Sequence, residues 1–346
     1  MIKALSLGCI VTIGSLGVFI YSFYETSRRS LTKKHFIKIP IRYLSILKGP
    51  HIEVEIEKQK FYFLIDSGSD TQLSFQSKAI QKIQNKHFIG NSTNYNFKGI
   101  KYNSEIYEIE TFKIGESLIS YKTKISTDHD EAIRKANNWN KEPSLSSWVW
   151  GKIDSWMSHG KIGNGFFKNF VCYFDFPDET FCIAKDLGSL MKEGGYSLEP
   201  FISTSIEVAP FGPIVKMETK WGSKAFLLDT GSTRSLIQQK SLLDEEETKS
   251  DLFLENFHLG SCCFTSCYIS PLFSGIDGIL GVDFFKERVV CIDYLQKKAY
   301  IYHIPLATRL CTKSSYSRLK FSTQETMGVH LTKYQESLIP AYFAAD

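Results

Sequence analysis

Phe63-Leu64-Ile65-Asp66-Ser67-Gly68-Ser69 is matched later in the same chain by Phe226-Leu227-Leu228-Asp229-Thr230-Gly231-Ser232. Each copy is an apolar run that delivers one aspartate onto a hydroxyl-Gly-Ser turn. Downstream stand Gly160-Lys161-Ile162-Gly163 and Gly278-Ile279-Leu280-Gly281, each leading into a Phe-Phe-Lys segment, Phe166-Phe167-Lys168 and Phe284-Phe285-Lys286. The parts follow in the same order both times, so the chain is an internal duplication. Two one-carboxylate modules in one chain imply a site where two carboxylates meet.

The spacing has a physical reading. A buried strand carries Asp66 or Asp229 inward, and the next residues must reverse the chain tightly. Glycine serves there because a reversal needs a positive φ or a close backbone approach that a Cβ forbids. Ser67 and Thr230 place hydroxyls beside the turns, able to tie the two loops together, and Ser69 and Ser232 are expected to donate to the carboxylates. Two carboxylates within hydrogen-bond reach share one proton and titrate as a pair. One is then a base toward water while the other, protonated, polarises a carbonyl. This chemistry needs no metal, cofactor or covalent intermediate.

On these residues the chain resembles the pepsin/retropepsin superfamily, most closely the retropepsin-like aspartyl proteases of bacteria. The resemblance rests on Asp66-Ser67-Gly68-Ser69 and Asp229-Thr230-Gly231-Ser232, each paired with its downstream Gly motif, and covers roughly residues 41–302. It is tightest from Ile276-Asp277-Gly278 through Phe284-Phe285. The first copy departs from the pattern: Lys161 stands where the family has an apolar residue, and Asn164-Gly165 replaces Val282-Asp283. The resemblance implies an all-β, bilobal aspartic-protease fold of two pseudo-two-fold-related β-barrel lobes. It implies catalysis by Asp66 and Asp229, bridging by Ser67 and Thr230, and support from Gly68, Ser69, Gly231 and Ser232. A non-catalytic scaffold or peptide-binding protein is the alternative, since a fold can outlive its chemistry.

Composition agrees with two lobes. A chain of 346 residues with 26 Phe and 17 Tyr can fill two β cores. A net charge of +4, with lysines interspersed among glutamates, gives no nucleic-acid surface. The expected divisions are an anchor at 1–30, a first lobe at 41–190, a second at 201–303 and a tail at 304–346. Residues 4–24 are uncharged and, as a helix, would span a bilayer's apolar core of about 30 Å. Tyr21, Tyr24, Arg28 and Arg29 follow as interfacial anchors. The run is read as a retained single-pass membrane anchor; a cleaved signal peptide ending near Ser15-Leu16-Gly17 is the competitor, and the side of the membrane is open. Seven cysteines follow the anchor, so at least one is unpaired or intermolecular. Both half-sites lie in one chain, so the catalytic unit is expected to be a monomer acting on peptide or protein.

Alternation at Ile52, Val54 and Ile56 and then 61–65 reads as a hairpin, repeated at 214–219 and 225–228. Further hairpins are expected at 171–184 and 289–302, short helices at 77–84 and after each second glycine motif, and an interlobe linker from Gly194-Gly195 to Pro200. The stretch between Asp66 and Gly160 is far longer than that between Asp229 and Gly278, leaving room for one flap. Residues 94–109 are its candidate, with Gly99 at the bend and Tyr95 or Tyr102 toward substrate or core. Residues 128–157 hold four of the five tryptophans, read as aromatics capping an insertion. His258, Cys262, Cys263 and Cys267 lie close together, but neighbours on a strand point to opposite faces, so no zinc site is expected.

Overall fold

The computed structural model describes residues 35–44, 49–95, 101–115, 118–128, 158–219, 222–238, 257–259, 262–264, 268–270 and 275–303. In the first lobe the chain runs through β1 (Phe36–Pro40), β2 (Arg42–Tyr43), β3 (Pro50–Ile56), β4 (Gln59–Asp66), β5 (Leu73–Gln76) and α1 (Ser77–Ile80). It continues through β6 (Lys86–Tyr95), β7 (Lys101–Ile114), β8 (Leu118–Asp128), β9 (Gly160–Gly163), α2 (Asn164–Phe167), β10 (Val171–Asp175), β11 (Thr180–Ala184) and α3 (Leu187–Lys192). The second lobe begins with β12 (Ile202–Ala209), β13 (Gly212–Thr219), β14 (Gly222–Leu228), β15 (Leu236–Gln238), β16 (Phe257–Leu259) and β17 (Cys262–Phe264). It ends with β18 (Tyr268–Ser270), β19 (Gly278–Leu280), α4 (Val282–Phe285), β20 (Arg288–Asp293) and β21 (Lys298–His303).

The duplication read from the motifs extends through the strand pairing. In each lobe an antiparallel hairpin (β3–β4, β13–β14) brings the aspartate strand beside the strand of the second glycine motif, which runs parallel to it: β4 with β9, β14 with β19. β9 and β19 each pair antiparallel on their other side with β5 or β15, which runs parallel to β8 or β18. β10 and β20 then lie side by side, Tyr173 opposite Cys291, within the run β1-β11-β10-β20-β21-β12 that joins the lobes. Its outer strands, β1 and β12, come one from each half, and the pseudo-two-fold axis passes between β10 and β20.

Alternation decides which side chains fill the core. On β4, Phe61, Phe63 and Ile65 are buried while Tyr62, Leu64 and Asp66 face the other way. The Phe-Phe segments supply the largest apolar groups: Phe167 and Phe285 are both fully buried. Phe167 meets Phe174 and Phe181, while Phe285 of the second lobe meets Phe174 and Phe176 of the first at ring distances of 5.7 and 5.4 Å. Removing such a side chain from water contributes roughly 1.5–3 kcal/mol.

Several expectations need correcting. The first lobe begins earlier than residue 41, since β1 forms the edge of the interlobe run against β11. The α1 helix stops at Ile80 instead of reaching 84, its end closed by Lys82 N–H to Ala79 and Ile83 N–H to Ile80 carbonyls. The α3 helix was not anticipated. In the second lobe β16–β17 is a short counterpart of the β7–β8 hairpin, since β16 pairs with β13 as β7 pairs with β3. The apolar run 4–24, the tryptophan-rich stretch 129–157 and the tail 304–346 lie outside the described residues. Among the described residues no helix is long and apolar enough to cross a membrane.

Candidate active site

The two aspartates are delivered in the same way. Asp66 ends β4 opposite Gly163 of β9, and Asp229 follows β14, its N–H donating to Leu280 of β19 at 2.9 Å. Each then turns sharply, with Ser69 N–H reaching the Asp66 carbonyl at 3.2 Å and Ser232 N–H that of Asp229 at 3.3 Å. The loop beyond each aspartate folds back over the second glycine motif. A Cβ on Gly163 would stand 2.6 Å from the carbonyl oxygens of Ser69 and Thr71, and one on Gly281 2.5 Å from that of Arg234. Close backbone approach is therefore why each aspartate module is followed by its own glycine partner.

Ser67 and Thr230, both fully buried, lock the loops together. The Ser67 N–H donates to Thr230 Oγ1 at 3.1 Å and the Thr230 N–H to Ser67 Oγ at 3.0 Å. The hydroxyls pass their own protons on: Ser67 Oγ donates to the Leu228 carbonyl at 2.7 Å and Thr230 Oγ1 to that of Ile65 at 2.8 Å. Every polar group in the bridge is paired, which matters because a buried unpaired donor or acceptor costs about 1–3 kcal/mol. The β12–β13 turn adds a further crossing. There Gly212, at φ +157, passes 2.5 Å (measured from an added Cβ) from the Ser67 carbonyl, and the Asn164 amide donates to Pro210 at 3.1 Å.

The bridge brings the carboxylates together across the axis. Gly68 lies directly against the carboxylate of Asp229 and Gly231 against that of Asp66; a methyl on either would overlap the facing carboxylate. Asp66 and Asp229 hydrogen-bond to each other. Burial first, then the neighbouring charge of Asp66 and the hydrogen bond to it, push the Asp229 carboxyl above its usual range; the Gly231 and Ser232 N–H groups pull it partly back. The Gly231 N–H reaches Asp229 Oδ1 at 2.8 Å. Two carboxylates placed this closely can share one proton.

Ser69 and Ser232 do not play the part expected of them. Ser232 Oγ spends its proton on the Arg234 carbonyl at 2.8 Å, and Ser69 Oγ pairs with Thr71 Oγ1 at 3.0 Å. Both hydroxyls serve the turn, and backbone N–H groups serve Asp229 in their place. Lys161, the departure noted in the first glycine motif, reaches the pair: its Nζ lies 3.6 Å from Asp66 Oδ2. Tyr95 and Tyr102 lie on the two arms of the β6–β7 hairpin, with Asn94 opposite Tyr102 and Tyr95 opposite Lys101, while Gly99 falls outside the described residues. A cavity of about 460 Å³ opens between residues 70–73, just beyond Asp66, and the inner parts of β6, β7 and β8, with Thr71, Leu73, Ile89, Ile106 and Lys124 on its walls. Among the described residues no group of His, Cys, Asp and Glu side chains has the makings of a metal site.

No family model matches the chain. No curated protein matches it in sequence. Solved structures do match in shape. Conglutin gamma, a basic 7S globulin from lupine seeds, aligns at 8% identity and TM-score 0.55 over 82% of this chain and 98% of its own. Basic 7S globulin from soybean aligns at 8% identity and TM-score 0.53 over 80% and 96%. An aspartic proteinase from Irpex lacteus aligns at 14% identity and TM-score 0.49 over 79% and 98%. The chain therefore has a mostly β fold shared with the two basic 7S globulins. The globulins carry that fold under a name that states no proteolysis, so activity must be argued from the site.

Proposed function

We propose that this chain is an aspartic endopeptidase in which Asp66 and Asp229 together activate one water against a peptide carbonyl. The observation that carries this reading is the reciprocal packing at the axis. Gly68 rests on Asp229 and Gly231 on Asp66, above a fully paired Ser67–Thr230 bridge. The ionised carboxylate takes a proton from the water as its oxygen attacks. The protonated one donates to the carbonyl oxygen, giving a tetrahedral diol whose collapse requires protonation of the leaving amine. Both groups are preorganised, so little reorganisation is needed during the reaction. The catalytic unit is one chain, held at a membrane by the apolar run 4–24.

The test is cleavage of an unstructured protein substrate across acid to neutral pH by wild type, Asp66→Asn and Asp229→Asn. Each substitution is expected to abolish cleavage with the fold retained by circular dichroism. Wild-type rates in either variant would overturn the assignment. Wild-type protein that binds peptide in the cleft without cleaving it would make the chain a peptide-binding scaffold, the reading favoured by its likeness to the globulins.

A further inference from the structure

The two lobes differ at one position beside the pair. On β14 and β19 the face shared with Asp229 is apolar: Leu227 and Ile279 are buried and pack with Ile214 and Ile276. The equivalent of Ile279 on β9 is Lys161, which lies opposite Leu64 and on the Asp66 face of the sheet. Its ammonium stands 3.6 Å from Asp66 Oδ2, with 26% of the lysine side chain and 14% of the aspartate side chain exposed. A cation that close, with little water between, favours the charged form of a carboxylate. Among the described residues Asp229 meets no such cation; what it meets is Gly68, the N–H groups of its own turn and Asp66.

We infer that Lys161 is a positioning residue that breaks the symmetry of the pair, holding the negative charge on Asp66 and leaving the shared proton on Asp229. The inference rests on the proposed reading that the pair works with one proton between its members. It makes Asp66 the base toward water and Asp229 the acid toward the carbonyl, and it keeps the working one-proton state in place at lower pH. Among the described residues, the other charges on the neighbouring elements lie elsewhere. Neither β5 nor α2, packed against β9, carries a titratable side chain. On β4, Tyr62 turns toward Arg42 and Glu53. His159, before β9, accepts from the Tyr62 N–H at 3.1 Å. Lys224 sits toward the far end of β14, and Asp70 and Arg234 are exposed in the loops beyond the aspartates.

The experiment is a carboxyl-¹³C titration of the full chain labelled at aspartate, with resonances assigned by Asp66→Asn and Asp229→Asn, alongside the pH–rate profile of cleavage. Wild type, Lys161→Met, Lys161→Gln and Lys161→Arg are compared. In the Met and Gln variants the lower titration step of the pair, and with it the acid limb of the rate profile, is expected to rise by about one unit or more. Arg is expected to restore it. A lower step unmoved in both neutral variants overturns the inference, as does an Arg variant that behaves like Met. A lysine-dependent titration in a wild-type protein that cleaves nothing would support the inference while defeating the protease reading, so the two fail separately.

Discussion

Asp229 can stay protonated because little around it favours its charge. Burial and the facing Asp66 raise its carboxyl above the ordinary range, and only two backbone N–H groups oppose them. The sign of the consequence for stability follows. A carboxyl whose folded value is raised contributes stability that is complete below the unfolded value, about 3.9, and lost as pH climbs through the folded one. Asparagine cannot ionise, so Asp229→Asn is expected to gain stability relative to wild type as pH rises from about 4 to about 8. The size is about 1.4 kcal/mol for each unit by which the folded value is raised. Urea unfolding at the two ends of that range measures it. A difference that stays flat with pH would mean the aspartate is not a buried, proton-holding group; a constant offset from the amide itself would not. Which hydroxyls serve the carboxylates was only half legible in the sequence. Ser67 and Thr230 had to point across the axis, because the strands before them fix their direction. Ser69 and Ser232 lie two residues further along the turn, beyond the glycine, where local backbone geometry decides, and residue type alone says nothing about that.

At the scale of elements, the parts that were legible are those whose partners are close in sequence. The β3–β4, β10–β11 and β20–β21 hairpins announce themselves through alternation on either side of a short turn. β1 does not: it is five residues whose partner, β11, lies most of a lobe away. The α3 helix is too brief for periodicity to register, although its cap is written in the chain, with Asp186 Oδ1 accepting from Ser189 N–H at 2.7 Å. The Phe-Phe segments mark the repeat in the sequence, but their structural role emerges only from α2 and α4, which turn Phe167 and Phe285 into the core. Phe285 is the more telling of the two because it crosses between lobes to Phe174. Phe285→Ala is expected to cost roughly 3–5 kcal/mol of unfolding free energy. In a double-mutant cycle with Phe174→Ala, a coupling of about 0.5–1.5 kcal/mol should appear beyond simple addition. Strictly additive losses would show that the ring contact carries no energy of its own and that the lobes are joined by the strands alone.

For the whole molecule, the decisive fact is that both halves of the site are covalently one. The hydroxyl bridge runs from Ser67 to Thr230, residues of different lobes in the same chain, and the interlobe sheet takes one outer strand from each half. In a site built from two identical chains, by contrast, half-sites separate on dilution and activity falls with concentration. Here separating the half-sites would require pulling β10 from β20 and burying nothing in return, which is unfolding rather than dissociation. Specific activity is therefore expected to be independent of protein concentration from micromolar to low nanomolar, with the active species sedimenting as one chain in a detergent that accommodates the amino-terminal run. Covalent linkage also allows the two halves to diverge, which identical subunits cannot do: Lys161 in one half stands where the other has Ile279, and the long β7–β8 hairpin of the first is matched by the short β16–β17 of the second. Specific activity that collapses on dilution, or an active species of two chains, would show that the working site needs a second copy despite carrying both aspartates.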